Sequence, residues 1–136
     1  MNDSFLALAI NFGLVILIWM IQILIYPSFL YYSDDVFIKA MRAHQRKMTL
    51  IVFPLMMSEL ILSIYHVFNY RSLYAMVSLF LVILIWLSTI FIQMPIHERL
   101  LINKNQSEIY ALIKTNWIRT VLWSIKLLIL ISQIYL

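Results

Sequence analysis

The chain has 136 residues, of which 64% are hydrophobic and only 12% are charged. Soluble domains contain about 25% charged residues, and a soluble fold of this length could not bury so much apolar surface. The net charge of +4 lies between the apolar runs and forms no basic stripe, so we expect no nucleic-acid binding. The absence of cysteine excludes disulfides, thiolate chemistry and cysteine-based metal sites.

Four apolar runs are long enough to cross a hydrocarbon core about 30 Å thick. Pro27 ends the first span and Pro95 ends the third, whereas neighbouring helices can accommodate Pro54 inside the second. We therefore predict an all-α integral membrane four-helix bundle that forms one domain, 1–136, without an internal repeat. The spans cover residues of about 5–26, 48–68, 73–94 and 115–136.

Amphipathic segments precede the second and fourth spans. In the first of these, Asp34 and Asp35 can cap a helix that carries Phe37 and Met41 on one side. Ser107 and Glu108 can begin a similar segment before the fourth span. We predict a short amphipathic helix at the membrane interface in each position.

The distribution of Lys and Arg predicts the orientation in the membrane, because cytoplasmic loops are enriched in both. The two longer loops, 27–47 and 95–114, and their flanks contain eight such residues, whereas the turn between the second and third spans has only Arg71. We predict that both loops are cytoplasmic and that both termini lie outside. In a bacterium this would be the inner membrane.

Polar residues recur in the predicted cytoplasmic half of every span. Because polar groups are costly in hydrocarbon, we expect them to face a shared interior pocket that opens to the cytoplasm. We predict that Gln22, Gln93, Asn116 and Trp123 contact a substrate there. Trp123 and the other tryptophans are also typical of packing or membrane-interface positions.

Two charges lie deeper, near the middle of their spans. Glu59 is about 18 Å past Lys47, and Lys126 is about 15 Å from the C-terminus, at 1.5 Å per residue. An isolated charge at this depth costs at least about 2.5 kcal/mol. We predict a buried Glu59–Lys126 ion pair, with Arg119 as the second candidate partner. The alternatives are that Lys126 snorkels outward or that Glu59 is protonated and unpaired.

Two histidines fall at the same predicted level, His44 before the second span and His97 after the third. Facing imidazoles can hold a transition metal or a haem iron, or transfer protons near neutral pH. We predict that His44, His97 and Arg119 are catalytic and that both histidines are candidate metal ligands. The sequence leaves open whether haem, a metal or no cofactor binds, and both histidines could instead be solvated interfacial residues.

Several segments resemble an uncharacterised family of small four-span bacterial membrane proteins. They are QMPIHERL at 93–100, NWIRTVLW at 116–123, and HQR at 44–46 followed by Pro54 and Glu59. More remotely, the layout is similar to a four-span domain that includes anthrone oxygenases, although Gln93, Pro95 and His97 depart from its pattern. WMIQILIYPSF at 19–29 is similar to the end of span one in haem-binding four-helix protoporphyrinogen oxidases. These remote resemblances imply redox chemistry, but no haem ligand can be carried over by position.

The sequence contains no HExxH, GxSxG, P-loop or GxGxxG motif, which disfavours hydrolases and nucleotide-driven enzymes. The leading hypothesis is a membrane oxidoreductase or oxygenase that acts on a lipophilic small molecule. The alternatives are a binding or accessory membrane subunit, and a proton-coupled transporter that uses Glu59. The lipid bilayer is the expected partner, and the sequence leaves open whether the protein forms a homo-oligomer.

Overall fold

The computed structural model describes residues 2–135, which form four long helices and, within that range, no strand. We name the helices α1 to α4. Helix α1 begins at Asn2 and continues through Tyr31, α2 is Asp34–Tyr70, α3 begins at Leu73 and continues through Leu100, and α4 is Gln106–Tyr135. All four are long and apolar enough to cross a membrane. The prediction of an all-α four-helix bundle is therefore confirmed.

Helices α1 and α3 both continue through a proline, so the prediction that Pro27 and Pro95 end these helices is wrong. Each contains one π-helical turn before its proline, Ile21–Ile25 in α1 and Thr89–Gln93 in α3. The π turn follows Asn2–Met20 in α1 and Leu73–Ser88 in α3. After it, α1 continues as Tyr26–Ser28 and a 3₁₀ turn, Phe29–Tyr31, and α3 continues as Met94–Leu100.

The residue before each proline closes the wide turn. The backbone N–H of Tyr26 donates to the carbonyl of Ile21, and that of Met94 donates to the carbonyl of Thr89. A proline lacks its own N–H and its ring clashes with the carbonyl four residues earlier. A locally widened turn accommodates both effects, so the helix can continue beyond the proline.

The amphipathic segments before the second and fourth spans are not separate helices, which corrects the prediction. They form the first turns of α2 and α4, which run without interruption for 37 and 30 residues. Once a helix has begun, each further residue adds a hydrogen bond at little cost, and residues 34–53 contain neither Gly nor Pro. The predicted loops 27–47 and 95–114 therefore contain only two short non-helical connections, 32–33 and 101–105.

Local signals explain where the helices begin and end. The hydroxyl of Ser72 accepts a hydrogen bond from the Ala75 N–H at the start of α3, and Asn105 Oδ1 accepts one from the Ser107 N–H at the start of α4. Such caps satisfy N–H groups that have no partner within the helix. Helix α2 ends where Arg71 adopts a left-handed conformation with φ 48°.

The four helices pack as a square. Helices α2 and α4 each contact both α1 and α3, which places α1 and α3 at diagonally opposite corners. We call the end where α1 meets α2 and α3 meets α4 the basic end, because most Lys and Arg residues lie near it. The opposite end, which carries both chain ends and the α2–α3 turn, is the terminal end.

Apolar side chains fill the basic half of the interior and also cover the outside. Phe37, Met41, Leu100, Ile109 and Leu112 are completely buried. Large apolar residues on every helix are exposed, among them Phe12, Leu50, Phe91 and Leu128. A bundle whose exposed surface is largely apolar, and whose interior holds charged and amide side chains beside its apolar core, departs from the usual arrangement of a soluble domain.

Two leucines of α4 provide a matched test of this packing. We expect Leu112→Ala, at a position with 0% exposure, to lower the free energy of unfolding in lipid or mild detergent by about 2–5 kcal/mol, because it leaves a cavity. Leu128→Ala, where the side chain is 66% exposed, should change it by less than about 0.5 kcal/mol. Equal losses would show that Leu112 is not in the core.

Candidate functional site

Two groups of polar side chains lie inside the bundle. We call Asn11, Glu59, Trp123 and Lys126 the glutamate cluster, and Gln22, Tyr26, His97, Asn116 and Arg119 the arginine cluster. Except for His97, which is half-buried, every member is at most 6% exposed. The predicted polar residues of all four helices thus lie toward the interior.

The glutamate cluster joins three helices at one carboxylate. Glu59 Oε1 accepts hydrogen bonds from Asn11 Nδ2 at 2.9 Å and from Lys126 Nζ at 2.8 Å. Glu59 Oε2 accepts one from Trp123 Nε1 at 2.9 Å. The Glu59 and Lys126 side chains are each 2% exposed. A buried ion pair is tolerated only when its remaining lone pairs are also satisfied, which Asn11 and Trp123 achieve.

The structure therefore brings Glu59 and Lys126 together, while Arg119, the second candidate partner of Glu59, makes its hydrogen bonds elsewhere. It also places Trp123, a candidate substrate-binding residue, in the glutamate cluster, where its indole N–H is already engaged. The amide of Asn11 donates the remaining hydrogen bond that the Glu59 carboxylate accepts. Asn11 shares a face of α1 with Gln22, but the sequence does not show that it reaches Glu59.

Arg119 is the centre of the arginine cluster. Its Nε and Nη2 both donate to Asn116 Oδ1, at 3.0 and 2.6 Å. Its Nη2 also donates to the Tyr26 hydroxyl at 3.1 Å, and its Nη1 donates to Thr89 Oγ1 at 3.4 Å. All of these acceptors are neutral oxygens. Within residues 3–135 the structure shows no carboxylate paired with this guanidinium.

Gln22 fixes the orientation of Asn116, which accepts two hydrogen bonds from Arg119. Its Oε1 accepts from Asn116 Nδ2 at 2.8 Å and from Thr120 Oγ1 at 3.3 Å, and its Nε2 donates to the Ile113 carbonyl at 2.9 Å. Because the Asn116 amide N–H points to Gln22, its oxygen must point to Arg119. Gln22 and Asn116 are thus positioning residues for the guanidinium.

Tyr26 connects Arg119 to His97. The Tyr26 hydroxyl lies 3.0 Å from His97 Nε2 and accepts a hydrogen bond from Arg119, so its own hydrogen is available for His97 Nε2. A neutral imidazole that accepts at Nε2 carries its hydrogen on Nδ1. His97 Nδ1 is buried and has no hydrogen-bond partner among the described residues.

Gln93 is one helical turn before His97 and also has a buried nitrogen without a hydrogen-bond partner among the described residues. Its Oε1 accepts from the Ser88 hydroxyl at 2.9 Å, whereas its Nε2 is buried without a partner in the described part of the chain. Gln93 Nε2 is therefore an N–H donor that lacks an acceptor, and His97 Nδ1 is a second one when the Tyr26 hydroxyl donates to His97 Nε2. Buried donors without partners are rare, and each one calls for an explanation such as a ligand or water.

His44 lies beside His97 at the basic end. Their rings stack with centroids 6.2 Å apart and an interplanar angle of 13°, and Phe29 packs against His44 at 5.0 Å. Through Tyr26 the structure thus brings the three predicted catalytic residues, His44, His97 and Arg119, into one region. Among residues 2–135 no group of three His, Asp or Glu side chains could hold a metal ion, and catalytic zinc sites use three protein ligands.

Besides Asn11, the sequence prediction misses Tyr26, which stands at the end of the apolar run of span one. Two signals could have found it. Tyr26 is four residues after Gln22, on the same helical face, and it immediately precedes Pro27. A tyrosine buried in hydrocarbon also needs a hydrogen-bond partner for its hydroxyl.

Each π turn follows a copy of the same six-residue sequence. The sequence LVILIW occurs at 14–19 and again at 81–86, and each copy is followed by a proline, Pro27 or Pro95. The corresponding π turns lie on the diagonal helices α1 and α3 and carry Gln22, Thr89 and Gln93. Such turns are frequent at functional sites.

Comparison with known proteins adds no relative to this description. No family model, no curated protein and no solved structure matches the chain.

A double-mutant cycle tests the ion pair. We expect Glu59→Gln to lower the free energy of unfolding by about 3–5 kcal/mol, because it leaves Lys126 buried without its counter-charge. Adding Lys126→Met removes that charge and should recover a large part of the loss. Unfolding of the single and double variants in lipid gives the coupling energy. If the two losses simply add, the residues are not partners.

Replacing Tyr26 with phenylalanine tests the connection between Arg119 and His97. We expect Tyr26→Phe to destabilise the protein by about 1–3 kcal/mol, because buried polar groups on both sides lose a partner. Tyr31→Phe is the matched control on the same helix, since Tyr31 is 89% exposed, and should change stability by less than about 0.5 kcal/mol. Thermal unfolding measures the stability of both variants. Equal losses of stability in the two would contradict the connection.

Proposed function

We propose that the chain is a multi-pass integral membrane protein whose four helices all cross the bilayer. The apolar outer surface of the bundle supports this, because exposed patches larger than a few hundred Å² mark a contact surface, and hydrocarbon is the solvent that such a surface fits. The excess of Lys and Arg around the basic end supports a cytoplasmic position for that end. Both termini then lie on the outer side.

We propose further that the arginine cluster binds the anionic end of a lipophilic small molecule. The observation that carries this proposal is the difference between the two buried cations. Lys126 has a carboxylate at 2.8 Å, whereas Arg119, at 6% exposure, donates only to neutral acceptors within the described part of the chain. A buried charge without a counter-charge costs several kcal/mol, and a protein retains such a group at a functional position.

The unpartnered groups nearby support the same ligand chemistry. Among the described residues Gln93 Nε2 is a donor without an acceptor, and His97 Nδ1 is another when Tyr26 donates to its Nε2. A ligand that offers negatively charged oxygen would satisfy these donors and the guanidinium. A planar guanidinium also matches the two oxygens of a carboxylate better than an ammonium does.

The surroundings support a lipophilic ligand. Ile21, Ile96 and Leu112 are buried close in sequence to site residues, and the outside of the bundle is apolar. A molecule with an apolar body would partition into the bilayer and need only its polar end to reach Arg119. Gln22 and Asn116 would hold the guanidinium ready, so little reorganisation is needed on binding.

The predicted reaction class fits this arrangement. Fixed donors around a developing negative charge stabilise enolate-like or phenolate-like species, which oxidation or oxygenation of an acidic lipophilic molecule would involve. We therefore propose an oxidoreductase or oxygenase, with His44 and His97 as acid–base groups. The resemblance to four-span redox families points in the same direction. An accessory binding subunit and a proton-coupled transporter stay as the alternatives.

A series of amphiphiles with one tail and three head groups tests the site. Dodecanoate, dodecanol and dodecylammonium would be added to the full-length protein in nanodiscs. A ligand that binds only the folded state raises the unfolding temperature by mass action. We expect dodecanoate alone to do so, and we expect Arg119→Gln to abolish the shift.

Arg46→Gln provides the control, since it removes the same charge from an exposed position near the basic end and should keep the dodecanoate shift. The proposal is contradicted if all three amphiphiles act alike, or if Arg119→Gln binds dodecanoate as well as the parent protein. Loss of the shift in both variants would mean that surface charge attracts the ligand, and would also contradict a specific role for Arg119.

A further inference from the structure

A second polar region lies at the terminal end, far from the arginine cluster. A groove of about 540 Å³ opens there between all four helices, and Ser4, His66, Tyr70, Ser72 and Ser132 line part of it. The groove is large enough to hold many water molecules, each of which occupies about 30 Å³ in the liquid. Its hydroxyl groups make it suitable for water.

A small cavity lies beneath the groove and reaches the glutamate cluster. Its volume is about 10 Å³, and Glu59, Ser63, His66, Ser78 and Lys126 line it. The groove and the cavity share His66 and Leu130 as lining residues. A polar cavity of about 10–15 Å³ with two to four hydrogen-bonding partners is sufficient for one water molecule.

The groups around the cavity have unused hydrogen-bonding capacity. Lys126 Nζ carries three donors, and among the described residues it forms one hydrogen bond, to Glu59. His66 Nε2 is buried and has no hydrogen-bond partner in residues 2–135, since Asp3 Oδ2 is 3.6 Å away. A water molecule in the cavity would give both groups a partner.

The glutamate cluster is closed on its other side by an apolar layer. Leu14 and Ile18 lie between Asn11 and Gln22 along α1, and Ile85 lies between Ser78 and Thr89 along α3. These three side chains are at most 2% exposed and belong to the buried core. Water that reaches Glu59 would therefore arrive from the terminal end.

We propose that the groove and the cavity form a one-sided water path from the terminal end to the Glu59–Lys126 ion pair, with one ordered water in the cavity. Every helix contributes to it: Ser4 and Ala7 come from α1, His66 and Tyr70 from α2, Ser78 and Tyr74 from α3, and Lys126 from α4. The path gives water from the terminal end access to the buried ion pair. It is independent of the anion site at Arg119.

The chain contains no cysteine, so single cysteines can report which positions water reaches. Silver ion is small enough to follow water and reacts with thiols, and it would be added to full-length S78C and V82C in nanodiscs. Ser78 lines the cavity, whereas Val82, one turn further along α3, has 0% exposure and does not. We expect the thiol of S78C to react at least about tenfold faster, since V82C needs local unfolding.

S63C tests the same cavity from α2 and should react like S78C. Helical circular dichroism and thermal unfolding would establish that each variant is folded, so that failure of one serine variant leaves the other as the test. Equal reaction rates in S78C and V82C, or slow reaction in both serine variants, would overturn the proposal. A fast reaction in V82C would show that the apolar layer does not close the path.

Discussion

The Glu59 carboxylate is the constraint on which the packing of this bundle depends. It accepts hydrogen bonds from Asn11 on α1 and from Trp123 and Lys126 on α4, while it lies on α2 itself. In an apolar surrounding, a shift of either partner helix by one residue would leave a charge or an amide unpaired at a cost of several kcal/mol. Apolar side chains tolerate many alternative packings, whereas a buried ion pair with two further donors specifies one register.

The two halves of the bundle use their buried charges differently. In the terminal half, cation and anion neutralise each other, and every oxygen of the Glu59 carboxylate has a donor. In the basic half, Arg119 is held by Asn116, Tyr26 and Thr89, and no carboxylate of the described residues pairs with it. The first arrangement stabilises the fold, and the second surrounds the positive charge with neutral oxygens. The π turns before Pro27 and Pro95 lie in this second half, where α1 and α3 supply Gln22 and Gln93.

The sequence predicted what depends on hydrophobicity and spacing. The four helices follow from the apolar runs, and the contact of Glu59 with Lys126 follows from depth, because two opposite charges at one level in hydrocarbon favour pairing. The continuation of α1 and α3 beyond Pro27 and Pro95 was not predicted, since a proline ends a helix unless a wider turn accommodates it. The roles of Tyr26 and Asn11 were missed as well. Both depend on the rotation of α1 relative to α4, which tertiary packing determines.

The most direct measurement of the central constraint is the distance between Lys126 Nζ and the Glu59 carboxyl carbon in a lipid bilayer. Solid-state NMR of protein labelled with ¹⁵N in lysine and ¹³C in glutamate measures it through the dipolar coupling, with Lys126→Met to assign the signal. The account predicts a strong coupling, consistent with direct contact of the ammonium and the carboxylate at 2.8 Å between nitrogen and oxygen. The account would be contradicted if the spectrum contained no coupling that is lost when Lys126 is replaced by methionine.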